Sequence, residues 1–144
     1  AFRMRSDSQV QLERSSSRSV GLLRILTGAI LSVYGKGQKR IHTPAATIGI
    51  RGTGTYVGVT DTRTYFCCCY GEAEMVAAGS DAVRETVVTG YHESPRYISM
   101  GDNPQIIAAP VIDHGDDELA ILESLVGRVP PFYNPSSADG AGYD

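Results

Sequence analysis

The sequence predicts an all-β fold, an antiparallel β-sandwich or jelly roll or else a short β-solenoid, with one C-terminal helix. Three observations lead there. Glycine is plentiful, with 16 residues, beside many Thr, Val, Ile and Tyr, a mixture that suits short strands joined by tight turns. Alternating apolar and polar segments recur along the chain, each closed by Gly, Pro, Asn or Asp. A single stretch, beyond residue 115, repeats its apolar residues at helical spacing.

The elements follow in order. Residues 1–19 are a polar extension with Ser15, Ser16 and Ser17 in succession, where the alternation of Val10 and Leu12 suggests a strand. Residues 22–27 and 29–34 read as two strands separated by Gly28, and 35–37 as a glycine turn. Segments 40–43 and 46–50 flank Pro44, residues 51–54 form a tight backbone feature, and 55–59 is the next strand. Strands at 64–70 and 72–77 turn about Gly71, and strands at 83–89 and 91–100 follow. The helix has Asp116 or Asp117 as its cap and Leu119, Leu122, Leu125 and Val126 on one face, a stripe suited to sealing one end of the sheets. Gly127 ends it and Pro130-Pro131 forbids continuation. The chain thus divides into the extension 1–19, a β domain 20–112, a helix and cap 113–133, and a polar tail 134–144 that calls for a neighbouring subunit if it is ordered.

Within the β domain the run Leu22-Leu23-Arg24-Ile25-Leu26-Thr27-Gly28-Ala29 precedes a denser one, Thr43-Pro44-Ala45-Ala46-Thr47-Ile48-Gly49-Ile50-Arg51-Gly52-Thr53. Thr64, Phe66, Cys68, Gly71, Ala73 and Met75 then continue in register. This pattern, over residues 20–100, resembles the FecR domain of bacterial iron-dicitrate-type regulators. The residues carrying it are Thr43, Pro44, Ala46, Ile48, Gly49, Arg51, Gly52, Thr53 and Gly71. Their physical reading is structural: Ala46 and Ile48 point inward, Gly49 allows close strand approach, Gly52 permits a bend, and Arg51 ties down a turn through its five donors. The resemblance implies an extracytoplasmic β domain used for protein contacts. In the family such a domain commonly follows a cytoplasmic anti-sigma segment and a membrane helix, neither of which is read in this sequence, so sigma-factor control is not carried over.

Composition narrows the function further. A net charge of −3 gives the surface no reason to seek polyanions, so nucleic acid is a poor partner. No apolar run reaches the length of a membrane span, the longest, residues 20–34, being broken by Arg24, Thr27 and Gly28. Ala1 is the kind of small residue that leader cleavage leaves, and export to the periplasm or the extracellular space is the expectation.

Chemistry-bearing residues gather in two places. Cys67, Cys68 and Cys69 are consecutive, and strand alternation sends Cys68 to the core with Phe66 while Cys67 and Cys69 share the opposite face. That pair is a candidate for intermolecular disulfides or, with His92, for metal or haem ligation; His42 and His114 are weaker candidates. The plain alternative is cysteine as a small hydrophobe. The patch Tyr91-His92-Glu93-Ser94-Pro95-Arg96-Tyr97 mixes a base, a carboxylate, an arginine and aromatics, and reads foremost as an exposed strand edge ended by Pro95. No nucleophile elbow, phosphate loop or zinc-protease motif occurs, so no catalytic residue is assigned and the chain is not expected to be an enzyme. Two readings remain. One is an exported, self-associating interaction or structural subunit, a homo-oligomer or filament donating the 8–14 segment as a strand and open to other extracytoplasmic partners. The other is a soluble extracytoplasmic sensor or carrier, binding a metal, haem or small ligand through Cys67, Cys69 and His92.

Overall fold

The computed structural model describes residues 1–14 and 21–132. The serine run at 15–17 and the polar tail at 134–144 lie outside the described residues. Among the described residues, nine strands form one hydrogen-bonded sheet, not closed into a barrel: β1 (Phe2–Met4), β2 (Gln9–Arg14), β3 (Gly21–Val33), β4 (Gln38–His42), β5 (Ala46–Val59), β6 (Arg63–Ala77), β7 (Arg84–Thr89), β8 (Arg96–Ser99) and β9 (Ile106–Ala108). One helix, α1 (Asp116–Leu125), follows. The all-β class with a single C-terminal helix is therefore as the sequence predicts, but the sheet is mixed, because β3 and β4 run parallel.

Three strands are long, and each crosses two halves of the sheet. In the first half β2, the start of β3, β4, residues 46–51 of β5, residues 72–77 of β6, and β7 lie side by side. In the second half the neighbours are β1, the end of β3, residues 54–59 of β5, residues 64–70 of β6, β8 and β9. Both halves contribute to one core, which joins Leu23, Ile25, Ile41, Ile48 and Met75 to Ile30, Val57, Phe66, Cys68 and Ile98.

Sharing that core demands a change of phase. Side chains alternate along a strand, so a strand bent across a core keeps facing it only if the alternation slips by one residue at the bend. In β5 the inward residues are Ile48 and Ile50 before the bend, Val57 and Val59 after it; in β6 they are Phe66 and Cys68, then Ala73 and Met75. The slips fall at glycines in left-handed backbone, Gly28 (φ 85°), Gly52 (φ 57°) and Gly71 (φ 104°). The register of β5 on β6 shifts between Arg51, Gly54 and Thr55. The sequence expectation of separate strands ending at Gly28, Arg51 and Gly71 is thus corrected: these residues are bends within continuous strands.

Several signature residues have different duties from those expected. Gly49 has open space where a Cβ would sit, so close approach does not require it. Arg51 is exposed and makes no side-chain hydrogen bond among the described residues, so it does not tie down a turn; it lies opposite Glu72 on the open sheet face. The turn before β5 is held by Thr43, whose Oγ1 accepts from the amides of Ala45 (3.3 Å) and Ala46 (3.1 Å) and from Thr64 Oγ1 (2.8 Å). The strand expected over 91–100 shortens to β8, which pairs on both sides, with β6 and β9, so the exposed-edge reading of 91–97 is also corrected. The 8–14 segment, the candidate donor strand, pairs with β3 of its own chain over Gln9–Arg14.

The outer face of the second half carries a second core, of Leu31, Val33, Tyr56, Tyr65, Cys67, Cys69 and Tyr70, covered by Leu119 and Leu122 of α1. Burying two leucines contributes about 1.5–3 kcal/mol each toward docking a ten-residue helix that would not persist alone. Leu125 and Val126, expected on the same face, are exposed. The helix N-cap is Gly115, with no side-chain cap, while Asp116, Asp117 and Glu118 occupy the first turn where the dipole favours anions. In its last turn, buried Glu123 accepts from Tyr70 Oη and from Arg128 Nε (2.6 Å), and beyond its end Gly127 turns at φ 73°.

The bends give a direct stability test. A Cβ at Gly71 would lie 2.6 Å from the Gly52 carbonyl oxygen and 2.6 Å from Thr53 Cγ2, on a backbone that L residues rarely adopt. Gly71→Ala is expected to lower unfolding stability by more than about 2 kcal/mol, and Gly49→Ala to change it by less than about 1 kcal/mol, measured by urea denaturation.

Candidate metal centre

Between the second half of the sheet and the helix, four metal-ligating side chains from three separate segments meet. Strand alternation turns Cys67 and Cys69 of β6 away from the first core and into the second, and Cys68 into the first, as the sequence predicts. All three thiols are free, and none has any solvent exposure. His92 comes from the turn between β7 and β8. There the amides of Gly90 and Tyr91 both donate to Glu93 Oε1 (3.1 Å each), and the His92 amide donates to the Cys69 carbonyl (2.9 Å). This fixes His92 at φ 48°, an uncommon conformation for a side-chain-bearing residue.

His114 arrives from the segment that leads into α1. Tyr65 Oη holds that segment by donating to the Pro110 carbonyl (2.7 Å) and accepting from the Ile112 amide (3.3 Å). Asp113, just before it, stands at φ 60°. The His114 ring stacks on Tyr56, with centroids 4.7 Å apart and planes 10° from parallel.

The donor atoms converge closely. Cys67 Sγ lies 3.8 Å from Cys69 Sγ and 3.4 Å from His92 Nδ1. Cys69 Sγ lies 3.4 Å from His114 Nε2, and the two ring nitrogens are 3.2 Å apart. All four lie within 4.8 Å of one another. Tetrahedral zinc, with bonds of about 2.3 Å to sulfur and about 2.0–2.1 Å to nitrogen, needs separations of about 3.8 Å for S···S, about 3.6 Å for S···N and about 3.3 Å for N···N. The donor set fits one such ion.

The outer contacts decide which nitrogens are available. His114 Nδ1 lies 2.6 Å from the Ile112 carbonyl, which can only accept, so Nδ1 carries a proton and Nε2 is the atom that faces the thiols. His92 Nε2 lies 3.0 Å from Asp116 Oδ1, so by the same argument Nε2 carries a proton and Nδ1 faces the thiols. Tyr91 Oη donates to the other oxygen of Asp116 (2.5 Å), orienting that carboxylate in turn. Both imidazoles thus turn one nitrogen to the thiols while the far nitrogen is held by oxygen, the usual outer arrangement of ligating histidines.

Electrostatics favours a thiolate here. The hydrogen bond from Cys69, then those from His114 and His92, hold the Cys67 thiol well below its ordinary value, at about 4, against the opposing effect of burial. Burial, and then the neighbouring Cys67, push Cys69 upward. Burial lowers His92 but is outweighed by Cys67 and Asp116, so its net direction is up. Cys68 shares none of this: burial raises it to about 12, which makes it an inert thiol.

Of the sequence candidates, the structure brings Cys67, Cys69 and His92 together and adds His114, which the sequence ranks lower. His42 is not among them; it is half-buried in β4 opposite Thr47. Asp116 is the functional residue that sequence reasoning misses, because an aspartate at a helix start reads as a cap. The only local hint is its place two residues after a histidine. Intermolecular disulfides through Cys67 and Cys69 have no route in this conformation, since sulfurs without exposure cannot meet another chain.

Comparison with known proteins agrees with the fold. The family model described as FecR protein matches residues 1–74. No curated protein matches the chain. Two crystal structures of a "putative anti-sigma factor" from Parabacteroides distasonis ATCC 8503 superpose on it. One, at 1.65 Å resolution, has a TM-score of 0.58 at 12% identity and covers 85% of this chain and 55% of that one. The other, at 2.50 Å, has a TM-score of 0.52 at 10% identity and covers 85% of this chain and 64% of that one. The chain therefore spans less than two thirds of either, and at these identities the likeness shows the fold alone. With the family match running from the first residue through Gly52, Gly71, Cys67 and Cys69, this chain belongs to the FecR family.

Proposed function

We propose that this chain is a non-enzymatic FecR-type regulatory domain, working outside the cytoplasm, whose buried pair of cysteines and pair of histidines holds one zinc ion. The convergence of four correctly oriented donor atoms carries this reading. Two thiolates and two neutral imidazoles suit zinc, with copper(I) as the soft competitor. Four protein donors complete a tetrahedron and leave no position for water or substrate, as in structural rather than catalytic zinc sites. The donors surround a point rather than a plane, and Tyr56 and Phe132 pack against the two imidazoles, which favours a single ion over haem.

The self-assembling subunit is the weaker reading. Its cysteine linkage meets buried thiols, and its donor strand is already paired within the chain. Protein contact remains the role that family membership supports, and the open face of the first sheet half, with Arg40, Arg51, Glu72 and Glu74, is accessible for it. No helix among the described residues is long and apolar enough to cross a membrane.

Elemental analysis of protein purified without added metal, followed by cobalt(II) exchange, tests the proposal. One ion per chain and the visible bands of tetrahedral thiolate-bound cobalt are expected. Cys67→Ser, Cys69→Ser, His92→Ala and His114→Ala should each weaken binding by more than the roughly 10–100-fold expected of Asp116→Asn, a change in an outer contact. Cys68→Ala and His42→Ala should leave affinity unchanged. Binding that survives removal of all four donors would overturn the reading.

Thiol chemistry supplies a separate check. A small aromatic disulfide reagent should find no reactive thiol in the native chain and three in denaturant. Rapid native reaction at Cys67 or Cys69 would show that the sulfurs are open, and would restore the intermolecular disulfide.

A further inference from the structure

The centre draws together parts of the chain that are otherwise joined by the Leu119 and Leu122 contacts, the Tyr65 hydrogen bonds and the Tyr70–Glu123 pair. Cys67 and Cys69 belong to the middle of the sheet, His92 to a turn on it, and His114 to the segment that becomes α1. Asp116 is at once the oxygen partner of His92 and the first residue of α1. An ion held by all four ligands would therefore fasten the start of the helix to the sheet at two points.

The helix in turn holds the other end of the chain. Glu118, one turn into α1, accepts two hydrogen bonds from Arg5 (2.9 and 3.1 Å) and pairs with Arg3 (3.2 Å). Arg5 also donates to the Asp113 carbonyl. Strand β1 is three residues long and wholly exposed, pairing with β3 over Ile30, Leu31 and Ser32. The pairing continues at its ends through Ala1 with Val33 and the Arg5 amide with the Ala29 carbonyl, and Glu118 is the ion-pair partner of Arg3 and Arg5.

Without an ion, the contacts inside the centre are two long S···N pairs of 3.4 Å and two ring nitrogens 3.2 Å apart, weaker ties between these segments than metal–ligand bonds. His92 and Asp113, which flank the ligand positions, sit at φ 48° and 60°, where a residue with a side chain persists only if its surroundings hold it there. A ten-residue helix released from its docking face is too short to remain helical by itself.

We propose that metal occupancy of the Cys67, Cys69, His92 and His114 centre controls docking of the 109–132 cap and, through Glu118, of strand β1. The domain then has two states. In the loaded state the cap covers Leu31, Tyr56, Tyr65 and Tyr70; in the unloaded state cap and β1 release together and that aromatic face is uncovered, while the first sheet half stays folded. This rests on the metal reading above and extends it from holding an ion to reporting it at the two ends of the domain.

Hydrogen exchange read by mass spectrometry tests it on the full chain, zinc-loaded and after chelation. Loss of zinc is expected to speed exchange at least tenfold across residues 109–132 and 1–5 together, with residues 46–51, 72–77 and 84–89 unchanged. Glu118→Gln, which touches no ligand, should speed exchange in residues 1–5 while zinc stoichiometry and protection of 119–125 persist. Stoichiometric zinc whose removal leaves protection unchanged, or unfolds all strands at once, overturns the inference but not the metal site. Unchanged protection of residues 1–5 in Glu118→Gln overturns the relay through β1. Failure to bind zinc at the four residues overturns the metal reading and this inference with it.

Discussion

The molecule depends on the requirement that three long strands face one core along their whole length. Because side chains alternate, a strand that bends over a core turns its apolar set outward unless one residue is absorbed at the bend. Gly28, Gly52 and Gly71 absorb it with backbone that other residues adopt at a cost. Two of the three are also enclosed: a side chain at Gly28 would collide with Ser8, and one at Gly71 with the backbone of the neighbouring bend at Gly52 and Thr53. The bends of adjacent strands are therefore one feature, fitted against each other. Their effect reaches beyond the core. The phase of β6 before Gly71 is what assigns Cys68 to the interior and Cys67 and Cys69 to the outer face, so the glycine corner and the ligand pair are set by the same slip.

Once the thiols face outward, their burial needs a reason. A buried cysteine is ordinary as a small hydrophobe, and Cys68 is one. Cys67 and Cys69 differ because their neighbours are polar: two imidazole nitrogens within 3.4 Å, each with its second nitrogen already committed to an oxygen. Protons alone can satisfy the group only through long contacts, each sulfur lying 3.4 Å from one imidazole nitrogen. A disulfide between the pair would consume the sulfurs and strand the imidazoles. A divalent ion would satisfy all four donors together, and the S···S, S···N and N···N spacings of 3.8, 3.4 and 3.2 Å lie near those of its coordination shell.

Much of this was legible in the sequence, for identifiable reasons. Period-two alternation is local, so the facing of Cys67, Cys68 and Cys69, the positions of most strands and the inward Ala46 and Ile48 could be read directly. Glycine was read correctly as special backbone and wrongly as a strand end, because a turn and a bend look alike until the partner strand is known. Arg51 shows the converse error: a cation between glycines suggests a tied loop, yet strand parity places it on the open face beside Glu72. The site was half legible. His92 stood out by its company, whereas His114 meets Cys69 across 45 residues of chain and Asp116 meets His92 across 24, couplings with no local pattern. A helix-start aspartate already has a sufficient local explanation, and that explanation hid its contact with His92.

The boundary of the family match sharpens what the centre is for. The matched residues end at Glu74, after both cysteines, while His92, His114 and Asp116 all lie beyond it. The FecR part thus supplies two sulfurs on a finished strand, and the remainder supplies two imidazoles, the carboxylate that orients one of them, and the helix that covers the second core. Neither part holds four donors alone. A site divided in this way is suited to holding segments together, because an ion bound by all four donors would pull the C-terminal segments onto the sheet. The same division explains why α1 carries both Leu119 and Leu122 for docking and Asp116 at its first position. Apolar burial gives the cap its affinity for the face, and the carboxylate, acting through His92, ties the cap's position to the donor set.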